Sequence, residues 1–161
     1  MSNIEIKIQK LWKPKWVITK VDDLTGQTIE KLVICDNVIL YQGLQAVWKL
    51  LANVGPAFSP IYNEANAEII AGTSSASSGD QAQTGLLGTT FSKAVEATYP
   101  QTSGGNNENL VYRTIFITGE AEFAWNEIGL TNGVTVFNRL VQSLGSKIAN
   151  QTWTVDLILE G

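Results

Sequence analysis

Alternation with a period of two runs near both ends of the chain. Trp153, Val155, Leu157 and Leu159 alternate with Thr152, Thr154, Asp156 and Glu160, while Ile4, Ile6 and Ile8 alternate with Glu5, Lys7 and Gln9. That period sends successive side chains to opposite faces of a pleated strand and is incompatible with the 3.6-residue repeat of a helix. Strands are therefore expected at Asn3–Lys10 and Gln151–Glu160, and β-rich runs between them give Trp16–Val21, Thr28–Cys35, Ala67–Ala71, Phe91–Tyr99, Leu110–Thr118, Phe123–Leu130 and Val134–Leu140. Asp22–Gln27, with Gly26, reads as the longer loop of a hairpin. Asn132-Gly133 can take the positive φ angles of a tight turn, and Gly145-Ser146 marks a further break. Pro14 lacks a donor for a central ladder, which places it on an edge strand or a connecting arm.

One helix interrupts this pattern. Leu40, Leu44, Val47, Trp48 and Leu51 form an apolar stripe at helical spacing, with Asp36 or Asn37 as the cap and Gly55-Pro56 as the stop. The expected fold is mainly β: an antiparallel β-sandwich or jelly-roll-like domain with one amphipathic helix and an extended N-terminal arm. Residues 1–20 read as a basic, Trp-containing strand and docking arm, and residues 21–161 as a single domain with long polar loops near 73–90 and 100–109. A chain of 161 residues with 44% hydrophobic composition suits one such core. No internal repeat, heptad or Gly-x-y array is present, which excludes a fibre shaft.

Charge narrows the function classes. Only 16% of residues are charged, against about 25% in ordinary soluble proteins, which suggests covered surface. In residues 1–20, Lys7, Lys10, Lys13, Lys15 and Lys20 face only Glu5, whereas the whole chain carries a net charge of −4. A net acidic domain repels a phosphate backbone, so no nucleic-acid partner is expected, while a basic arm can dock on an acidic protein surface. No apolar run approaches the ~20 residues that span a bilayer, and the N-terminus lacks a signal-peptide pattern, so synthesis in the cytoplasm is expected.

Histidine is absent and Cys35 is the single cysteine. This removes the commonest zinc ligands, an intrachain disulfide and the imidazole base of Ser-His-Asp or Cys-His catalysis. Cys35 itself reads as a small buried hydrophobe. Glu120, Glu122 and Glu127 lie near Phe123 and Trp125, where a glycosidase would need two carboxylates in a cleft. Solvated strand-end charges are the better reading, with Glu120 and Glu122 on one face of a strand. Asp22-Asp23 and the isolated glycines lack the spacing of calcium or phosphate loops. No catalytic, metal-binding or cofactor-binding residue is expected. Trp12 and Trp16 straddle Pro14 and, with Lys7, Lys10, Lys13 and Lys15, are the candidate interface anchors. Trp48 and Trp153 read as core, and Arg113 and Arg139 as structural partners for a carboxylate such as Glu127.

The stretch Phe123-Ala-Trp-Asn-Glu127-Ile128-Gly129-Leu130, followed by Asn132-Gly133 and Val136-Phe137-Asn138-Arg139, resembles a pattern in bacteriophage virion proteins of the tail-collar-fibre-like and head-decoration types. Upstream, Asn37-Val-Ile-Leu-Tyr-Gln-Gly43-Leu44 and Ala67-Glu-Ile-Ile-Ala-Gly72 are similar to the earlier blocks of that pattern, so the resemblance covers residues 37–160. In physical terms these blocks are scaffold, with Gly129 permitting a bend or bulge and Glu127 open to a nearby arginine. The resemblance implies a non-enzymatic virion structural protein, made in the host bacterial cytoplasm and assembling as a homo-oligomer, favoured as a trimer. Its expected role is capsid decoration on the phage major capsid protein. The alternatives are a tail, baseplate or fibre-adaptor protein bound to tail proteins, and a glycan-binding virion module using Trp125 and the nearby carboxylates.

Overall fold

The computed structural model describes residues 13–35, 37–52, 62–76, 80–106 and 108–160. The expected strand Asn3–Lys10, and with it Lys7, Lys10 and Trp12, lies outside the described residues, as do Asp36 and the Gly55-Pro56 stop. Lys13 is described as backbone alone. Among the described residues the fold is a mainly β sandwich of two antiparallel five-stranded sheets with one helix.

In the first sheet, β1 (Lys13–Asp22) and β2 (Thr28–Ile34) form a hairpin, β10 (Gln151–Glu160) pairs with the other side of β1, and β7 (Asn109–Phe116) and β6 (Gln101–Ser103) complete the order β2-β1-β10-β7-β6. The hairpin turns where the Asp22 carboxylate accepts hydrogen bonds from the Leu24 and Thr25 backbone N–H groups at 3.0 and 2.8 Å, and Gly26 takes a φ of 68°. Residues 13–20 thus belong to the sheet rather than to an arm. β1 is an interior strand despite Pro14. Among the described residues, pairing with β2 begins at Trp16↔Ile34, and Pro14 stands opposite Leu159 on β10.

The second sheet has the order β3-β9-β8-β4-β5, formed by β3 (Val38–Ile39), β4 (Glu68–Gly72), β5 (Thr90–Ala94), β8 (Ala124–Thr131) and β9 (Val136–Ser146). β5 stops at Ala94, short of the expected Tyr99, and β9 continues past Gly145, whose φ of 93° bends the strand where a break was expected. In the β8–β9 turn only Gly133 takes a positive φ; Asn132 instead uses its side-chain oxygen to accept from the Val134 and Thr135 N–H groups. Between the sheets, Trp16, Ile18, Tyr112, Phe116, Trp125, Ile128, Leu130, Trp153, Val155 and Leu157 are buried in one core. Trp125 meets Trp153 at 4.8 Å and stands edge-on to Phe116 at 4.9 Å, favourable separations for aromatic rings.

The helix, α1 (Tyr41–Ala52), lies outside the second sheet. It follows β3 directly, so Asn37 does not cap it. Its inner face is small: Gly43 and Ala46 are its buried residues, and a Cβ on Gly43 would stand 2.3 Å from the Phe137 carbonyl oxygen. Only glycine lets the helix rest on the β9 backbone at that distance. The apolar stripe read from the sequence is split: Leu40 is buried and Val47 packs against the core, whereas its outer part is uncovered. Trp48, expected in the core, is exposed, as is Leu51, and Cys35 is exposed rather than buried.

Candidate functional site

The longest polar excursion, residues 73–89 between β4 and β5, is anchored by a buried ion pair on the outer side of the second sheet. The β8–β9 ladder is irregular between Trp125↔Gly145 and Glu127↔Val141, where Asn126 on β8 stands against three residues, 142–144, of β9. Trp125 and Ile128 can then both enter the core, while Glu127 faces away from it. Arg139 on β9 is opposite Gly129, one step along from Glu127 on the same face. Its Nε and Nη2 donate to Glu127 Oε2 at 2.9 and 2.8 Å, and both side chains are 0% exposed.

The carboxylate does more than neutralise the arginine. Oε1 accepts from the backbone N–H groups of Ser74, Leu87 and Gly88 at 3.3, 3.1 and 2.9 Å. Arg139 in turn donates from Nη1 to Gln83 Oε1 at 2.6 Å and from Nη2 to the Ala76 carbonyl at 3.2 Å. Two buried charges thus exchange water for each other and for the polar groups of one loop, the condition under which such a pair is tolerated. The loop neck is closed by Thr73, which bonds Thr89 through backbone and side chain, both at 3.1 Å. Leu86 packs over Gly129, where a Cβ would meet Leu86 Cδ1 at 3.2 Å and the Asn138 carbonyl at 2.5 Å. Every residue of the block Glu127-Ile128-Gly129-Leu130 is buried.

The expected pairing of Arg139 with Glu127 is present. Arg113 instead forms a two-pronged bond with Asp156 at 2.6 and 2.8 Å, one register step across β7 and β10. What the sequence did not reveal is the loop partner set, Ser74, Ala76, Gln83, Leu87 and Gly88. Gly88 was one available signal, since a Cβ there would stand 2.5 Å from Thr73 Oγ1.

The remaining candidates are dispersed. Trp16 is 0% exposed and pairs with Leu157 and Ile34 inside the sheet, which overturns its reading as an interface anchor. Lys15 is ion-paired with Glu160 at the far end of the β1–β10 ladder. Glu120 and Glu122 lie on a turn, not on a strand. Glu120 takes both oxygens to Lys93 Nζ at 2.9 and 2.7 Å and accepts the Ile117 N–H, while Glu122 accepts the Gly119 N–H at 2.7 Å. Burial works against ionising Glu120, but the Lys93 and Ile117 hydrogen bonds outweigh it and hold the carboxyl below its ordinary range. Beside it the buried Lys147 donates to the Ile117 carbonyl at 2.7 Å, and desolvation lowers its pKa. Trp125, the aromatic proposed to contact a glycan, is 0% exposed. Among the described residues, no three His, Cys, Asp or Glu side chains are grouped to hold a metal ion, and no helix is long and apolar enough to cross a membrane.

Comparison with known proteins gives no match to a family model, to a curated protein or to a solved structure.

Proposed function

We propose that this chain is a non-enzymatic bacteriophage virion structural protein, a capsid decoration protein that binds and stabilises the head surface as an oligomer. The observation that carries this reading is the fate of the Glu127–Leu130 block. The residues that resemble phage structural proteins are spent on architecture, fixing a long loop to a sheet through a sealed ion pair rather than presenting groups to a substrate. A rigidly held loop on a β scaffold suits binding to another protein. The low charge content points the same way, since interface cores are depleted of charge. A tail, baseplate or fibre-adaptor role uses the same features and is the alternative.

The test is to mix the purified full chain with purified empty capsids and, separately, with purified tails, and to measure co-sedimentation. Saturable, stoichiometric binding to capsids is expected. Binding to tails alone would replace decoration by the tail reading, and binding to neither would overturn both.

A further inference from the structure

Among the described residues the sheet margins are β2 and β6 in the first sheet and β3 and β5 in the second. β6 and β3 span three and two residues and β5 five, whereas β2 spans seven. One side of β2 is paired with β1 from Thr28 to Ile34. Its side chains are unevenly covered: Ile29 and Val33 are 51% and 57% exposed, Lys31 is exposed, and Leu32 packs on the core while staying only partly buried. A long margin that carries apolar side chains on both faces is a template for a further strand, and proteins ordinarily cover it.

The chain carries one segment with the pattern of such a strand. Ile4, Ile6 and Ile8 alternate with Glu5, Lys7 and Gln9 shortly before β1 begins at Lys13, at the end of the sheet where Ile34 stands opposite Trp16. Because the segment leads into β1 at that end, pairing within the same chain runs parallel to β2. Charge then selects the register. With Ile6 beside Leu32 and Ile8 beside Ile34, Glu5 stands beside Lys31 and Gln9 beside the exposed Cys35. Sliding by two residues brings Lys7 or Asn3 to Lys31 instead, and sliding by one turns the isoleucines away from the core. The tether allows this placement. Ile8 is then two strand spacings across and three residues along from Lys13, roughly 14 Å, and five residues reach roughly 17 Å. A segment held so near its own β2 meets it at an effective concentration that a second copy does not match in dilute solution. We propose that Asn3–Lys10 docks on the outer margin of β2 in the same chain, parallel to it and with Glu5 paired to Lys31, as an added strand of the first sheet. The basic segment then lies along the sandwich instead of reaching out from it. The inference goes beyond the virion reading and does not depend on it.

The experiment takes the native Cys35 as reporter. The full chain carrying Gln9→Cys or, separately, Ile8→Cys is treated with oxidised glutathione at about 1 μM protein, where encounters between copies are rare. Non-reducing electrophoresis and peptide mass spectrometry follow the products. Paired strands bring Cα atoms to about 5 Å, within disulfide reach. Gln9→Cys is expected to close an intrachain bond to Cys35 at least ~10-fold faster than Ile8→Cys, whose side chain points to the opposite face. Adding Lys31→Glu to Gln9→Cys should slow closure at least ~3-fold, and adding Glu5→Lys to that pair should restore it. Equal rates for Gln9→Cys and Ile8→Cys, or indifference to the charge at Lys31, would overturn the pairing. Disulfides formed only between two chains would also overturn it, by assigning the segment to the β2 of a second copy.

Discussion

Gly72, the last residue of β4, lies so close to Glu127 on β8 that a methyl group added to it would stand 2.6 Å from Oε1 and 2.8 Å from Cγ. The carboxylate that anchors the loop therefore depends on the missing side chain of its cross-strand neighbour. Gly72→Ala is expected to cost about 1–3 kcal/mol through displacement of Glu127. Gly26→Ala, where a Cβ meets nothing within 4 Å but φ is positive, is expected to cost about 1–2 kcal/mol from backbone strain alone. Urea unfolding of both measures the costs. Proteolysis separates the mechanisms, because only Gly72→Ala should hasten cleavage within residues 80–88.

Removing one charge of the buried pair leaves the other sealed without a counterion. Glu127→Gln and Arg139→Met are each expected to lose about 3–5 kcal/mol of stability, with less than the sum lost in the double variant. Equilibrium unfolding of the three proteins gives the coupling energy; additive losses would show that the two side chains act separately.

Trp16 and Trp48 should separate cleanly. Trp16→Ala is expected to cost about 3–5 kcal/mol, as a large core side chain does. Trp48→Ala should change the stability of the isolated domain by no more than about 0.5 kcal/mol, as an exposed position does. Thermal melts in dilute solution, where association is absent, check the contrast.

The Lys93–Glu120 contact makes stability sensitive to acid. The folded-state pKa of Glu120 is lowered, so its contribution is complete above the ordinary glutamate pKa of about 4.3 and is lost as pH falls through the lower folded value. Glu120→Gln should therefore be less stable than the wild type at pH 6, and the difference should shrink toward pH 3. Lys147 acts in the same direction at higher pH. Its pKa is lowered by burial, so the unfolded chain holds the proton more tightly, and stability gains from this group as pH rises from the folded value toward about 10.4. Urea titrations from pH 3 to 6, and from pH 7 to 10, measure the two effects.

Where a strand alternates and is covered on one face, its sequence disclosed it. Gln151–Glu160 has the expected ends because Trp153, Val155, Leu157 and Leu159 all enter the core while the residues between them stay half-buried. α1 was legible as a helix and its stripe in part, Leu40 and Val47 turning inward and Trp48 and Leu51 outward. Periodicity identifies the larger apolar stripe, whereas the contact with β9 is decided by how near Gly43 lets two backbones come, a distance that hydrophobicity does not encode. The ion pair was half legible for a similar reason. Glu127 and Arg139 are neighbours on one hairpin, but the backbone N–H groups of Leu87 and Gly88 come from a loop whose path depends on the assembled sheet. Trp16 was misplaced because Pro14 suggested an edge, whereas β1 is paired on both sides from Trp16 onward.

The position of β10 between β1 and β7 sets the timing of folding. Residues 151–160 form the ladder that joins the first hairpin to the rest of its sheet, with Lys13 opposite Glu160. During synthesis, β1 and β2 can meet early, but they must wait, with Trp16 and Ile18 uncovered, until nearly all of the described chain has left the ribosome. Such distant pairings fold slowly and leave apolar strands open to aggregation. A chain truncated before Gln151 should accumulate as insoluble material, so that the soluble pool open to assembly is restricted to molecules in which β10 has been made.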